Sequence, residues 1–392
     1  MTVHAAPLPV PDEAARAHSA RVVARVREEI AGGGGFLPFT RYMEIALYAP
    51  SLGYYVAGAR KFGTDGDFVT GPELSPLYGA ALAQQAHAIL QATGTQRIVE
   101  LGAGSGALAA SMLNALARCG GPTLSASLVY SILEVSPDLR QRQRATIAAL
   151  APGAAARVEW LDRLPQDVDG VVVMNEVLDA IAPRVVARRG DAWYERGVAW
   201  KDGVLAWEDR PLADPRLLSI ARARFPEAGD YASEINPAAE ALVGTLARRL
   251  RRGALMIVDY GFPRAEYYHP QRSEGTLLGH YRHRSHADPF LWPGLSDLTA
   301  HVDFTAIAEA AEAAGMQVAG FATQASFLLG CGILDLLAAT GAPESLAYIR
   351  EAAAVQKLIS PAEMGELFKV LLLARGDAAW SSLAVTDMTH RL

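Results

Sequence analysis

A short apolar run that opens into alternating glycines leaves a chain few ways to continue. Here the run is Arg97-Ile-Val-Glu-Leu-Gly-Ala-Gly-Ser-Gly106, and a helix-like stretch, 107–117, follows it. Glycine lets the backbone turn tightly and lets a ligand approach where a Cβ would clash. The helix that follows begins with N–H groups that have no partner inside the helix. Strand, glycine turn and helix in this order form the carboxyl-edge turn that holds nucleotide-like cofactors in doubly wound sheets. The stretch alone is ambiguous, because Gly102, Gly104 and Ala107 also fit the dinucleotide pattern or a bare strand–helix turn.

Two features favour S-adenosylmethionine over a dinucleotide. Glu100 stands before the first glycine, giving the E-x-G-x-G-x-G order of class I methyltransferases. Glu134 ends the next strand-like run, 30 residues after Gly104, whereas a dinucleotide fingerprint places its ribose acid about 20 residues on.

From residue 97 the pattern alternates strand and helix, which implies parallel βαβ units. Strands are expected at 98–101, 128–134, 158–161, 170–174, 254–259, 316–322 and 368–373. The run 170–174 is wholly apolar, as expected of a strand covered on both faces. Helices are expected at 77–92, 138–150, 237–252 and 304–314, the second capped by Ser136 with Pro137 at its first position. The fold class is α/β: a Rossmann-like, seven-stranded class I methyltransferase sheet, with an N-terminal helical and loop segment and inserted substrate-side segments. The expected division is 1–95, with helices at 14–30 and 39–48 and an ordered loop at 61–76, and 96–392, with insertions near 184–235, 261–303 and 325–366. Asp202-Gly203 between apolar runs signals a hairpin in the first insertion. Gly32-Gly-Gly-Gly35 reads as a turn, because no Lys-Ser/Thr pair follows to make a phosphate loop.

The 392 residues are 51% apolar, enough for a sizeable core, and carry a net charge of −6. That charge argues against nucleic acid as partner, which a basic stripe would signal. Two cysteines far apart, Cys119 and Cys331, suggest a reducing compartment. Residues 1–30 hold Asp12, Glu13, Glu28 and Glu29 and no apolar run, unlike a signal peptide. The longest apolar run, 327–334, is too short to span a bilayer. The expectation is a cytoplasmic protein without membrane insertion; a homo-oligomer is left open.

Several side chains could carry chemistry. Glu134, closing the second strand beside the glycine loop, is placed to accept both ribose hydroxyls of the cofactor. Asp162 could accept from the adenine amino group. Asn175-Glu-Val-Leu-Asp179 follows the fourth strand, at the edge where the reactive methyl should point. Glu176 and Asp179, three apart, would share a helix face and clamp a cationic acceptor such as a guanidinium in bidentate fashion. The D/N-P-P-Y sequence of many amine and base methyltransferases is absent there, which weakens a nucleic-acid base as acceptor. His280, His283 and His286, with Asp288, alternate with Arg and Tyr as on a polar loop, and no metal is expected.

With these residues in hand, the chain resembles the MidA-like methyltransferase family, whose mitochondrial members assist assembly of respiratory complex I. The resemblance runs from about residue 39 to 373. It rests on Gly53-Tyr-Tyr55, Gly66-Asp-Phe-Val-Thr-Gly-Pro-Glu-Leu-Ser75, Glu100-Leu-Gly-Ala-Gly-Ser-Gly106, Glu134-Val-Ser-Pro137, Asn175-Glu-Val-Leu-Asp-Ala180, Asp259-Tyr-Gly261 and Asp297-Leu-Thr-Ala-His-Val-Asp-Phe304. Ala103 stands where many family members have proline. The resemblance implies S-adenosyl-L-methionine held through Glu100, Gly102, Gly104, Gly106, Glu134, Asp162 and Asn175. It implies an arginine side chain of a protein as acceptor, which matches Glu176 and Asp179 as catalytic residues. It also implies that 66–75 covers the active site, making Asp67, Thr70 and Glu73 candidates for acceptor or cofactor contact; Tyr260, at the end of the fifth strand, is read from its place there as lining the pocket on the substrate side. Methylation of a small molecule, and an assembly factor that binds the cofactor without turnover, stay open as alternatives.

Overall fold

The computed structural model describes residues 8–56, 70–120, 127–376 and 387–392. The chain forms two compact units, one of residues 1–69, 180–238 and 265–301, the other of 70–179, 239–264 and 302–392. The expected Asp67 lies outside the described residues.

The first unit is built on two helices and an antiparallel sheet. Helix Glu13–Gly32 starts where Asp12 accepts a hydrogen bond from the Ala15 N–H, and it buries Val22, Val26 and Ile30 on one face. Helix Phe39–Tyr48 buries Phe39, Tyr42, Met43 and Ile45 in the same apolar cluster, together with Val185 and Val198. The sheet runs in the order Leu37–Pro38, Ala192–Lys201, Arg184–Arg189, Tyr231–Ile235, with Val204–Pro211 paired to Ala192–Lys201. The expected hairpin is present: Asp202 and Gly203 are both left-handed, with φ 48° and 84°, the pattern that matches the twist of paired strands.

Residues 261–303, expected as an insertion with no strands assigned, contain a three-stranded antiparallel sheet of Leu278–Tyr281, Arg284–His286 and Asp297–Thr299. His280 bonds to the Thr299 hydroxyl and His286 to that of Ser296, so both imidazoles serve the sheet. Among the described residues, no three His, Cys, Asp or Glu side chains are grouped to hold a metal ion. Among them also, no helix is long and apolar enough to cross a membrane.

The second unit holds the large sheet. Its seven main strands are β1 Arg97–Leu101, β2 Val129–Leu133, β3 Val158–Leu161, β4 Val168–Asn175, β5 Leu250–Phe262, β6 Gln317–Thr323 and β7 Phe368–Arg375, and the short strand Val302–Asp303 pairs in parallel with the end of β5 as an eighth. Their order is β6-β7-β5-β4-β1-β2-β3. Neighbours from β3 to β5 are parallel, and β7 is antiparallel to both β5 and β6. This is the expected class I methyltransferase sheet. One adjustment concerns the helix before β5, which ends at Arg249 rather than 252, because Leu250 already pairs with Val168 of β4. The order reverses between β1 and β4, and the crevice beyond the carboxyl ends at such a reversal is where ligands bind in open α/β sheets.

Candidate active site

Two loops emerge at that reversal. The first, after β1, carries Gly102, Gly104 and Gly106 at φ 68°, 51° and 88°. A side chain is rarely tolerated in this left-handed region, and alternating it with ordinary residues coils the backbone around an open centre. Helix Ala107–Cys119 starts directly afterwards. A Cβ on Gly102 would lie 2.8 Å from Val177 Cγ2, so this loop packs against the one after β4.

At the end of β2, Glu134 is nearly buried, at 9% exposure. Its Oε1 accepts from the Ser136 N–H at 2.8 Å and its Oε2 from Gln143 Nε2 at 3.1 Å. A carboxylate has about four acceptor sites, so each oxygen keeps capacity for a ligand hydroxyl. Arg140 donates to the carbonyls of Glu134 and Leu161 and to Asp162 Oδ1 at 2.6 Å, tying the ends of β2 and β3 together. Asp162 is otherwise open to solvent, its side chain 88% exposed.

Glu100 sits differently from the others. It is buried within β1, where its carboxylate accepts from the Tyr130 hydroxyl at 2.8 Å. Burial pushes its carboxyl up to about 7, against the opposing effect of the Tyr130 hydrogen bond.

After β4 the expected helix face does not form. Residues 176–179 are a turn, and Glu176 itself is left-handed at φ 54°. The buried carboxylate of Asp259, near the end of β5, is the reason. Its Oδ2 accepts from the N–H groups of Val177, Leu178 and Asp179 at 3.2, 2.8 and 3.4 Å, and its Oδ1 from Tyr260 N–H at 2.9 Å. Convergent N–H groups that a helix would aim along its axis are gathered here on one side chain. Burial nevertheless pushes Asp259 up to about 7. Glu176 and Asp179 are therefore placed by this turn and not by helical spacing.

Upstream, the fully buried Tyr78 donates its hydroxyl to Asn175 Oδ1 at 2.5 Å, and Asn175 Nδ2 donates to Glu176 Oε1 at 2.9 Å. Burial, with the charges of Glu176 and Asp259 nearby, raises the Tyr78 phenol well above its ordinary value, so it remains a donor. Glu73, on the short helix Gly71–Leu74 that follows Thr70, accepts from the Ser105 hydroxyl of the glycine loop. Tyr260 packs its ring on Phe368, with centroids 4.1 Å apart.

The sequence reading missed Tyr78, Arg140 and Gln143. Tyr78 is embedded in an apolar helical pattern, whereas Gln143 and Arg140 lie in a polar helix of Arg and Gln and look like any of its solvated side chains. Asp259 had a signal, an acid closing a buried strand, but its reach to three successive N–H groups depends on the β4–β5 pairing.

The sheet order and the reversal-point loops define a class I methyltransferase. The chain belongs to the family described as S-adenosyl-L-methionine-dependent methyltransferases, whose model matches residues 81–322. A crystal structure of a protein from Burkholderia thailandensis bound to S-adenosyl-homocysteine is 50% identical, with TM-score 0.93 over 98% of this chain and 100% of that one. The mitochondrial protein arginine methyltransferase NDUFAF7 homologue of Drosophila melanogaster is 29% identical over 87% of this chain and 82% of its own length. The human protein arginine methyltransferase NDUFAF7, also mitochondrial, is 27% identical over 86% of this chain and 80% of its own. The cofactor is S-adenosyl-L-methionine, and the dinucleotide alternative falls. The cytoplasmic expectation is overturned, since these curated relatives are mitochondrial proteins. Sparse cysteines separate reducing from oxidising surroundings but do not choose among reducing compartments.

Proposed function

We propose that this enzyme is a protein arginine N-methyltransferase, acting on a subunit of the respiratory complex I type or on another protein. The relatives that bear this activity in their names support the acceptor class. The observation that supports it most within the chain is the Glu176 carboxylate, fixed by the Asn175 amide on a left-handed turn beyond β4. A non-glycine residue at φ 54° is strained by about 1–3 kcal/mol, and such strain gathers at functional sites.

In this reading the cofactor lies on Gly102, Gly104 and Gly106, with Glu134 receiving the ribose hydroxyls and Asp162 the adenine edge. Glu100 stiffens β1 beneath the loop, and Asn175 borders the methyl. The cradle suits such a group: open backbone, a helix start, and a carboxylate with spare acceptor sites on both oxygens. When bound, S-adenosyl-L-methionine supplies an electrophilic methyl on a sulfonium.

The chain's part is positioning. Glu176, with Asp179, accepts N–H groups of a guanidinium in bidentate fashion, turns one nitrogen toward the crevice, and favours loss of that nitrogen's proton. Holding two reactants in line can contribute several orders of magnitude to the rate. Thr70, Glu73 and Tyr260 are acceptor-side contacts.

The test uses S-adenosyl-L-methionine labelled in the methyl group, with candidate acceptor proteins and total metabolites side by side. Label should enter protein and be recovered as methylarginine after hydrolysis. Glu176→Gln should lower turnover by about 100-fold or more and leave cofactor affinity by calorimetry unchanged. Label found only in small molecules, or full turnover by E176Q, would remove this reading.

A further inference from the structure

Gln143 lies in the middle of helix Pro137–Leu150, whose other side chains mostly face solvent, yet it is completely buried. Its carboxamide is used on three sides. Nε2 donates to the Gly104 carbonyl at 3.2 Å and to Glu134 Oε2 at 3.1 Å, and Oε1 accepts from Trp160 Nε1 at 2.9 Å. These partners come from the glycine loop, the end of β2 and strand β3. The orientation of the amide is dictated by chemistry. A flipped amide would set its oxygen against two acceptors and its NH₂ against the indole donor, turning every contact repulsive.

We propose that Gln143 is the positioning residue for ribose recognition: it fixes the Glu134 carboxylate relative to the glycine loop, so that a vicinal diol is selected. The inference rests on Glu134 as the ribose ligand, as read above. One carboxylate oxygen is held by the Ser136 N–H and the other by Gln143, which stops rotation of the carboxylate plane. Each oxygen then offers its remaining acceptor site in a fixed direction, and two adjacent hydroxyls match that pair. The same NH₂ group grips the Gly104 carbonyl, so loop and carboxylate are held in one register. The loop also lies directly on this residue: a Cβ on Gly106 would come within 3.1 Å of the Gln143 Cα. Trp160 completes the device by holding the amide oxygen away from both acceptors.

The experiment measures binding, so it does not depend on knowing the methyl acceptor. Affinities for S-adenosyl-homocysteine and its 2′-deoxy analogue are measured by calorimetry for the parent, Gln143→Leu, Gln143→Glu and Glu134→Gln. Gln143→Glu has nearly the shape of glutamine and keeps an acceptor for Trp160 but loses both donors, so it serves if the leucine variant does not fold. The parent should prefer the ribo ligand by about tenfold or more, the order expected when a hydroxyl loses a charged acceptor. Both Gln143 variants should lose most of that preference, chiefly by weaker binding of the ribo ligand. Equal weakening of both ligands, with preference intact, would mean that Gln143 only supports the fold and would overturn the inference. If E134Q keeps the parent's preference, the reading of Glu134 fails, whatever Gln143 does. If E134Q loses the preference and the Gln143 variants keep it, the inference alone fails.

Discussion

The two loops at the reversal point both turn through left-handed backbone, but they are held there by different means. In the loop after β1, each left-handed residue is a glycine, so the conformation costs little and is built into the residue types. In the loop after β4, the left-handed residue is Glu176, and the turn is imposed by Asp259, a strand away. The first loop is locally determined and suits a cofactor held largely by backbone. The second is held under strain by tertiary contacts and suits a side chain that must stand at one place beside a reacting atom. The comparison implies that the second loop is the fragile one, and that its strain is tied to its use.

The largest effect should follow from Asp259→Ala, which leaves four N–H groups without their acceptor. At about 1–3 kcal/mol for each buried donor left unsatisfied, partly relieved by water, a loss of about 3–4 kcal/mol is expected in denaturant unfolding. Turnover should fall with it. A loss below about 1 kcal/mol would show that the turn holds itself and that the contrast between the loops is wrong.

Glu100 tests the other side through pH. Its folded-state value, about 7, lies above the ordinary value of 4.5, so the folded state binds this proton more tightly than the unfolded state does. The associated stability is fully present below about 4.5 and is lost as pH rises through about 7. Glu100→Gln keeps an acceptor for Tyr130 and removes the titration. Without cofactor, its stability advantage over the parent should grow to about 1–3 kcal/mol between pH 5 and 8. An advantage that does not change with pH would place that carboxyl's titration elsewhere.

Smaller again is Tyr78→Phe. Without the phenol donor, the Asn175 amide is free to turn its oxygen toward Glu176. Turnover should drop about tenfold, or ~1.4 kcal/mol, while cofactor affinity holds; an unchanged rate would remove Tyr78 from the positioning chain. The smallest expected effect on stability has the opposite sign. Glu176→Gly relieves the left-handed strain and should raise stability by about 1 kcal/mol while ending turnover. A less stable glycine variant would mean that the Glu176 side chain contributes more to the fold than its backbone strain takes away.

How much of this was legible beforehand varies along the chain. The central strands were readable because buried parallel strands such as β4 are continuous apolar runs, and the outer ones because turns announce themselves with Gly, Pro and Asp. Glu134 stood out because an acid closing an apolar run has a restricted set of uses. The antiparallel strands within 261–303 were not readable. Their His, Arg and Tyr side chains alternate without an apolar face, and pairing with Asp297–Thr299 supplies what local pattern does not. The helix expected at 176–179 failed for a related reason. Two acids three apart fit a helix start, and only the β4–β5 pairing brings Asp259 to those N–H groups before a helix can use them.

The sequence by itself determined the sheet, the glycine turn and the identity of the cofactor class, because each depends on residue types that limit nearby backbone or on periodicity along one stretch. The tertiary structure alone decided which side chains are fixed. Gln143 at Glu134, Tyr78 at Asn175 and Asp259 beneath residues 177–179 are separated from their partners by 9 to 97 positions. A hydrogen bond across such a gap is set by where folded elements place two polar groups in a dry interior, and no local pattern in the chain encodes that meeting.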